Sequence, residues 1–284
     1  MNRTWTTLIG AAELRALLAD GATPVLVDCS FDLMDTEAGE RAWRDGHIAG
    51  SHYLHLDRDL SGTKSGRNGR HPLPERSVFA ATLGRLGVTP ATQVIVLDRQ
   101  GGTYAARLWW MLRWMGHEAV AVLDGGLQAW TAAGGDVDSS EPPPRAAAPY
   151  PDRQPLAAVT SADALAAQLG RVKLVDARAG ERFRGEVEPL DKAAGHIPGA
   201  LNRFFKDNLG AEGTFKPAAQ LRAELAALGV QADKVSEVVQ QCGSGVTACH
   251  NLLAAAHAGL GISTLYPGSW SEWCSDASRP VARP

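Results

Sequence analysis

An α/β fold built twice in tandem is what this sequence predicts, each copy a mainly parallel sheet flanked by helices. Three observations carry that expectation. Short buried runs rich in valine and leucine alternate with helical patterns, the order that gives parallel sheets covered on both faces. Gly116, Gly125 and Trp130 recur as Gly259, Gly268 and Trp273, each 143 positions on; a constant offset at three sites marks a duplication. Between the copies lies Ser139-Ser140-Glu141-Pro142-Pro143-Pro144, part of a proline-rich stretch that resists regular structure. The expected organisation is a first domain over 1–138, a linker over 139–152 and a second domain over 153–284.

The elements follow in order. Ala11 to Leu18 reads as a short helix, and Pro24 to Asp28 as a buried strand ending in an acid. Gly46-His47-Ile48 is a turn. The polar stretch Asp57 to Arg70, with glycines at 62, 66 and 69, reads as a long exposed loop. A helix follows from Pro74 to Leu86, a strand from Gln93 to Asp98, and a helix from Thr103 to Met115. Ala119 to Leu123 is a strand, and a last helix surrounds Trp130. After the linker the pattern repeats: Leu174-Val175-Asp176 matches the first strand, and Gly195-His196-Ile197 matches the first turn.

Bulk properties narrow the function. A length of 284 residues fits two domains, and 45% apolar with 21% charged residues is ordinary for a globular chain. A net charge of -3 gives no support for nucleic-acid or anionic-membrane binding. No apolar run reaches the roughly 18 residues of a membrane span, and the start lacks a signal peptide's apolar core. Four cysteines without a C-x-x-C pair argue against a disulfide framework or a zinc site. A reducing cytoplasm is the expected location.

The chemistry is concentrated after the strand Glu237 to Gln240. There Cys242 is followed by Gly243, Ser244, Gly245, Val246, Thr247 and Ala248, and from about Val246 a helix begins. Cys242 thus stands at the carboxyl end of a strand, where ligands of such sheets bind, just ahead of a helix N-terminus. Inward-turned amides and the helix dipole favour an anion there, and such surroundings favour the thiolate form of a cysteine. Read from the residues alone, an inert buried thiol is the equal alternative.

Cys242-Gly243-Ser244-Gly245-Val246-Thr247-Ala248 resembles the active-site loop of the rhodanese superfamily, in its mercaptopyruvate sulfurtransferase type. Tyr266-Pro267-Gly268-Ser269-Trp270-Ser271-Glu272-Trp273 and Gly195-His196-Ile197-Pro198-Gly199-Ala200 resemble two further motifs of that family, in the family's order. With the second copy, the resemblance spans nearly the whole chain. It implies that Cys242 takes a sulfane sulfur from 3-mercaptopyruvate as a persulfide and passes it to a thiol, cyanide or a thioredoxin-like acceptor, with no metal or organic cofactor. Thiosulfate is the alternative donor, and a non-enzymatic sulfur-relay or binding module a remote one. A cysteine phosphatase would need an arginine six residues after the cysteine, where Ala248 stands.

The resemblance also implies roles around the thiolate. Arg182 is the expected holder of the donor's carboxylate, with Arg178 and Arg184 as further cations. Where the family commonly has a second arginine, nine residues after Arg182, this chain has Asp191. Asp57 and His71 align with residues proposed to relay a proton through the loop serine, here Ser244. His47 and His196, found in both halves, are read as structural. In the first half the counterpart of Cys242 is Arg99, so that half is expected to be catalytically silent.

Overall fold

The computed structural model describes residues 3–145 and 147–283. Met1 and Asn2 at the start of the first domain, Ala146 of the proline-rich stretch and Pro284 at the end of the second lie outside the described residues. The chain forms two compact units. The first comprises Met1–Ser61, Pro74–Leu156 and Ala211–Thr214; the second comprises Gly62–Leu73, Ala157–Gly210 and Phe215–Pro284.

In the first unit the strands are β1 (Leu8–Ile9), β2 (Val25–Asp28), β3 (His47–Ile48), β4 (His52–Tyr53), β5 (Val94–Leu97), β6 (Val120–Leu123) and β7 (Val137–Asp138). Five of them make a sheet in the order β1-β6-β5-β2-β4, parallel throughout. Strands β2, β5 and β6 are buried at every residue, which is why their sequences are runs of valine, leucine and isoleucine broken only by Asp28 and Ala121. The helices are α1 (Ala11–Ala19), α2 (Ala38–Asp45), α3 (Arg76–Arg85), α4 (Ala105–Trp114) and α5 (Gly126–Ala132). Ile9, Leu26, Ile95, Leu97, Leu123 and Trp130 share one core with Leu14 of α1.

The second unit repeats this plan with β8 (Lys173–Asp176), β9 (Leu201–Asn202), β10 (Val238–Gln241) and β11 (Thr264–Leu265), in the order β11-β10-β8-β9. All pairs are parallel, and a parallel bridge from Val159 to Leu265 occupies the place that β1 holds in the first unit. The Gly-His-Ile turns correspond as well. β3 pairs antiparallel with β7, and His196 makes an antiparallel bridge to Ala282. The helices are α6 (Ala162–Ala166), α7 (Gly180–Arg184), α8 (Ala218–Ala227), α9 (Ala248–His257) and α10 (Ser269–Trp273). From Ala248 to Ala255 every residue of α9 is buried, so it lacks a polar face; its two polar side chains, His250 and Asn251, are met by Asn208.

Two readings of the sequence change. Asp57 to Arg70 is exposed only at Arg58 and over Thr63–Arg67; Leu60 and Ser61 are buried. Its later part, with the following Leu73, packs as a piece of the second unit. The helix α2 buries Gly39 and Trp43, four apart, on one face, but its short, charged sequence does not announce it.

Candidate active site

Cys242 follows the last residue of β10 and is 1% exposed. The loop from Cys242 to Thr247 folds back so that the Gly245 N–H points at the sulfur, 3.2 Å from Cys242 Sγ. Gly245 has φ +76, and a Cβ there would lie 2.1 Å from the Pro267 carbonyl oxygen, so only glycine fits. The thiol of Cys249, the second residue of α9, donates to the Gly245 carbonyl at 3.4 Å and holds the same bend.

The segment Tyr266–Trp273 buttresses this loop from its other side. Ser269 Oγ accepts the Cys242 N–H at 3.1 Å and donates to the Tyr266 carbonyl at 2.9 Å. The N–H groups of Trp270 and Ser271 donate to the carbonyls of Cys242 and Gly243, at 3.0 and 2.9 Å. Among the described residues, Ser269 is the one non-glycine with positive φ, at +54. Strain of that kind persists where the surroundings over-determine it.

Of the expected polar residues, the structure brings His71 to Ser244. His71 Nδ1 lies 2.8 Å from Ser244 Oγ, both side chains buried. Asp57 belongs to the first unit, where its N–H donates to His55 Nδ1 at 3.1 Å.

The three arginines part ways. Arg178 is fully buried. It binds Asp176 through Nε and Nη2, the Gly195 carbonyl at 2.8 Å and Glu188 at 3.4 Å, and its guanidinium carbon lies 4.8 Å over the Trp270 ring. Burial works against its charge, yet Asp176, then Glu188 and Cys242, hold its pKa above the usual arginine value. It braces the site from behind. Arg184 is exposed at the end of α7 and pairs with Glu186 at 2.6 Å. Arg182 is the one that faces the loop. Its Nη1 lies 3.4 Å from where a Cβ on Gly243 would stand, and its Nη2 pairs with Glu188 at 2.6 Å and Asp191 at 3.1 Å.

Two residues near the loop, Arg70 and Glu188, were not singled out from the sequence, and Ser271 of the closing motif gains a specific contact. Arg70 Nη2 lies 2.9 Å from the same point above Gly243, and its Nη1 pairs with Asp191. Glu188 joins Arg178 to Arg182. Ser271 accepts the Arg70 N–H at 3.0 Å. A signal for Arg70 existed: it directly precedes His71, and an acid at 191 calls for a basic partner.

The first unit shows what the same turn does without a cysteine. The Asp98 carboxylate, just after β5, accepts the N–H groups of Gln100, Gly102, Tyr104 and Ala105 at 2.7 to 2.9 Å. The Arg99 side chain turns away to the carbonyls of Ala42 and Gly46. At the repeat offset the position of Asp98 is Gln241, whose side-chain oxygen and nitrogen are buried with no hydrogen-bond partner among the described residues.

Cys29, Cys274, His47 and His196 have structural surroundings. Burial pushes the Cys29 thiol well up, and the Cys274 thiol up as well. His47 stacks on Trp43 and bonds its carbonyl; His196 does the same with Phe183. Among the described residues no group of three His, Cys, Asp or Glu side chains could hold a metal ion, and no helix is long and apolar enough to cross a membrane.

Comparison with known proteins gives the arrangement its lineage. The model of the rhodanese-like domain matches twice, over residues 10–133 and 161–276. A Pseudomonas aeruginosa protein named "Probable 3-mercaptopyruvate sulfurtransferase" is 46% identical, over 97% of each chain. Human 3-mercaptopyruvate sulfurtransferase is 38% identical over 93% of this chain and 89% of its own. A Gallus gallus thiosulfate sulfurtransferase is 32% identical over 89% and 87%. The structure of 3-mercaptopyruvate sulfurtransferase from Leishmania major superposes with a TM-score of 0.83 at 30% identity, covering 94% of this chain and 74% of that one. The two matched domains, the parallel sheets and the cysteine loop agree: the chain belongs to the rhodanese family.

Proposed function

We propose that this chain is a sulfurtransferase that takes sulfur from 3-mercaptopyruvate onto Cys242 and hands it to a thiol or cyanide. The observation that carries the reading is the loop itself, in which Cys242 Sγ accepts the Gly245 N–H while the adjacent Ser244 hydroxyl meets His71. The similarity to named mercaptopyruvate enzymes supports the choice of donor.

In the first half-reaction the Cys242 thiolate attacks the donor sulfur. An S–S bond forms and the C–S bond breaks, its electron pair passing to carbon as the pyruvate enolate. That carbon takes a proton, for which Ser244 backed by His71 is the proposed source. Arg182 is the proposed partner of the carboxylate. In the second, the acceptor thiolate or cyanide attacks the outer sulfur, and Cys242 leaves as the thiolate. Loop amides aimed at the sulfur stabilise the anions of both stages. The first domain is proposed to be silent, since its turn holds Asp98 in its amides and Arg99 in place of a nucleophile.

Thiosulfate is the second reading; the guanidinium groups beside Gly243 favour it, and the carboxylates that hold them weaken it. The test is mass spectrometry of the protein after exposure to 3-mercaptopyruvate. One added sulfur on the peptide bearing Cys242, absent in Cys242→Ser, is expected. Full turnover by Cys242→Ser would overturn the proposal.

A further inference from the structure

We infer that Arg70 supplies a second cation to the donor site, and that Asp191 is the residue that positions it. The inference rests on the mercaptopyruvate reading and names the group that would recognise the α-keto carboxylate beside Arg182.

Asp191 sits between two guanidinium groups. Its Oδ1 takes Arg70 Nη1, and its Oδ2 takes Arg182 Nη2 at 3.1 Å. Each arginine then turns a further nitrogen toward Gly243: Arg70 Nη2 stands 2.9 Å and Arg182 Nη1 3.4 Å from the place a Cβ would take. The carboxylates of Asp191 and Glu188 are 4% and 3% exposed, whereas Arg70 and Arg182 are 26% and 18% exposed. The acids therefore lie behind, and the cations keep an open side. Arg182 Nε adds a buried N–H with no hydrogen-bond partner among the described residues.

The backbone fixes this register. The Arg70 N–H donates to Ser271 Oγ, and the Ser271 N–H donates to the Gly243 carbonyl. The preceding Gly69, at φ +85, is pressed so close that a Cβ would lie 2.8 Å from the Gly268 carbonyl oxygen. Consecutive residues thus address consecutive loop residues, Arg70 at Gly243 and His71 at Ser244.

Two arginines beside a small residue make a recognition surface for one planar carboxylate, because each guanidinium offers fixed N–H donors that fit its two oxygens. Arg70, Arg182, Asp191 and Glu188 sum to zero formal charge. Selectivity then comes from aimed donors, which suits a monoanionic carboxylate.

The test compares wild type with Arg70→Ala, Arg70→Lys and Asp191→Asn by two measurements. The first is loading of Cys242 by 3-mercaptopyruvate against loading by inorganic tetrasulfide, which has no carboxylate. Arg70→Ala is expected to lower kcat/KM for mercaptopyruvate by about tenfold or more, mainly through KM, with tetrasulfide loading changed less than about twofold. Asp191→Asn is expected to raise KM several-fold with kcat retained, and Arg70→Lys to fall between. The second is alkylation of Cys242 by iodoacetate relative to neutral iodoacetamide. That ratio is expected to fall about tenfold in Arg70→Ala. Unchanged kcat/KM and ratio in the Arg70 variants would overturn the inference, as would equal loss with both sulfur donors. Wild type that tetrasulfide loads and mercaptopyruvate does not would defeat the functional reading instead, while the alkylation ratio still decides whether Arg70 guides a carboxylate.

Discussion

Ser269 holds the Cys242 backbone N–H through its hydroxyl at 3.1 Å while its own backbone sits at φ +54. In the first unit the equivalent position is Gly126, at φ +57, where the angle costs nothing. The second unit thus tolerates a strained serine where its twin has glycine, and what it gains is a partner for a buried N–H.

That trade can be measured. Ser269→Gly relieves the backbone but loses the hydroxyl; Ser269→Ala keeps the strain and loses the hydroxyl too. Leaving the buried N–H unsatisfied costs about 1–3 kcal/mol, and left-handed strain in a non-glycine about 1–2 kcal/mol. Urea denaturation is expected to rank alanine as the least stable, glycine next and wild type highest. An alanine variant as stable as wild type would remove the hydroxyl's structural role.

The Asp98 turn suggests a sharper experiment. There a carboxylate takes four loop amides at 2.7 to 2.9 Å. Gln241→Asp places the same group at the same repeat position below the Cys242 loop. A second anion beside the thiolate, competing for its amides, is expected to slow loading of Cys242 by at least about 10²-fold, the range seen when preorganised donors are withdrawn. Folding should survive, because the first unit tolerates this arrangement. Loading at the wild-type rate would show that the amides do not serve the sulfur.

Much of this was legible in the sequence, and the boundary is physical. The 143-residue offset, the buried valine strands and the Cys-Gly-Ser-Gly turn all announce themselves locally, through periodicity or backbone demand. Arg182 and the His71–Ser244 pair needed the family resemblance. Arg70 and Asp191 meet across 121 positions: an acid at 191 calls for a basic partner, but nothing local says which one. Nor did the sequence reveal that Gly62–Leu73 packs with the second unit, since glycine and charge in that stretch read as solvent exposure. The Asp98 nest was hidden for a different reason: a carboxylate capping its own turn and a strand-end acid are spelled alike.

Acid should test a second charged cluster. Burial raises the Glu224 pKa, but hydrogen bonds from Arg203, Gln220 and Lys216 outweigh it and bring it down to about 2. A depressed carboxylate contributes stability above its unfolded value of about 4.3, and loses it as pH falls toward the folded value. Glu224 is 26% exposed, so solvent screening trims the contribution to about 1–2 kcal/mol. Glu224→Gln is expected to be less stable than wild type at pH 7, with the gap closing between about pH 4.5 and 2. A gap independent of pH would assign the loss to packing rather than to charge.

The last prediction concerns donor choice. Thiosulfate is a small dianion whose charge lies close to the sulfur under attack, so a loop suited to it gains from cations next to the cysteine. Here those positions are Gly243 and Ser244. A close charge pair at intermediate effective dielectric is worth roughly 4 kcal/mol before desolvation. The nearby guanidinium groups do not replace that, because the paired Asp191 and Glu188 cancel the net charge of Arg70 and Arg182 and leave only aimed donors. Mercaptopyruvate needs less: aimed donors for one carboxylate set away from the sulfur, and a hydroxyl near the developing enolate. Its kcat/KM is therefore expected to exceed that of thiosulfate by at least about tenfold, or roughly 1.4 kcal/mol in the barrier. Replacing Gly243 and Ser244 with arginine and lysine should invert the balance from both ends. It puts charge beside the sulfur, crowds Arg70, whose Nη2 lies 2.9 Å from where a Cβ would stand, and removes the Ser244–His71 contact. The measurement is kcat/KM for both donors in both proteins. Wild type that prefers thiosulfate, or a double variant with an unchanged ratio, would show that charge at the loop does not choose the donor.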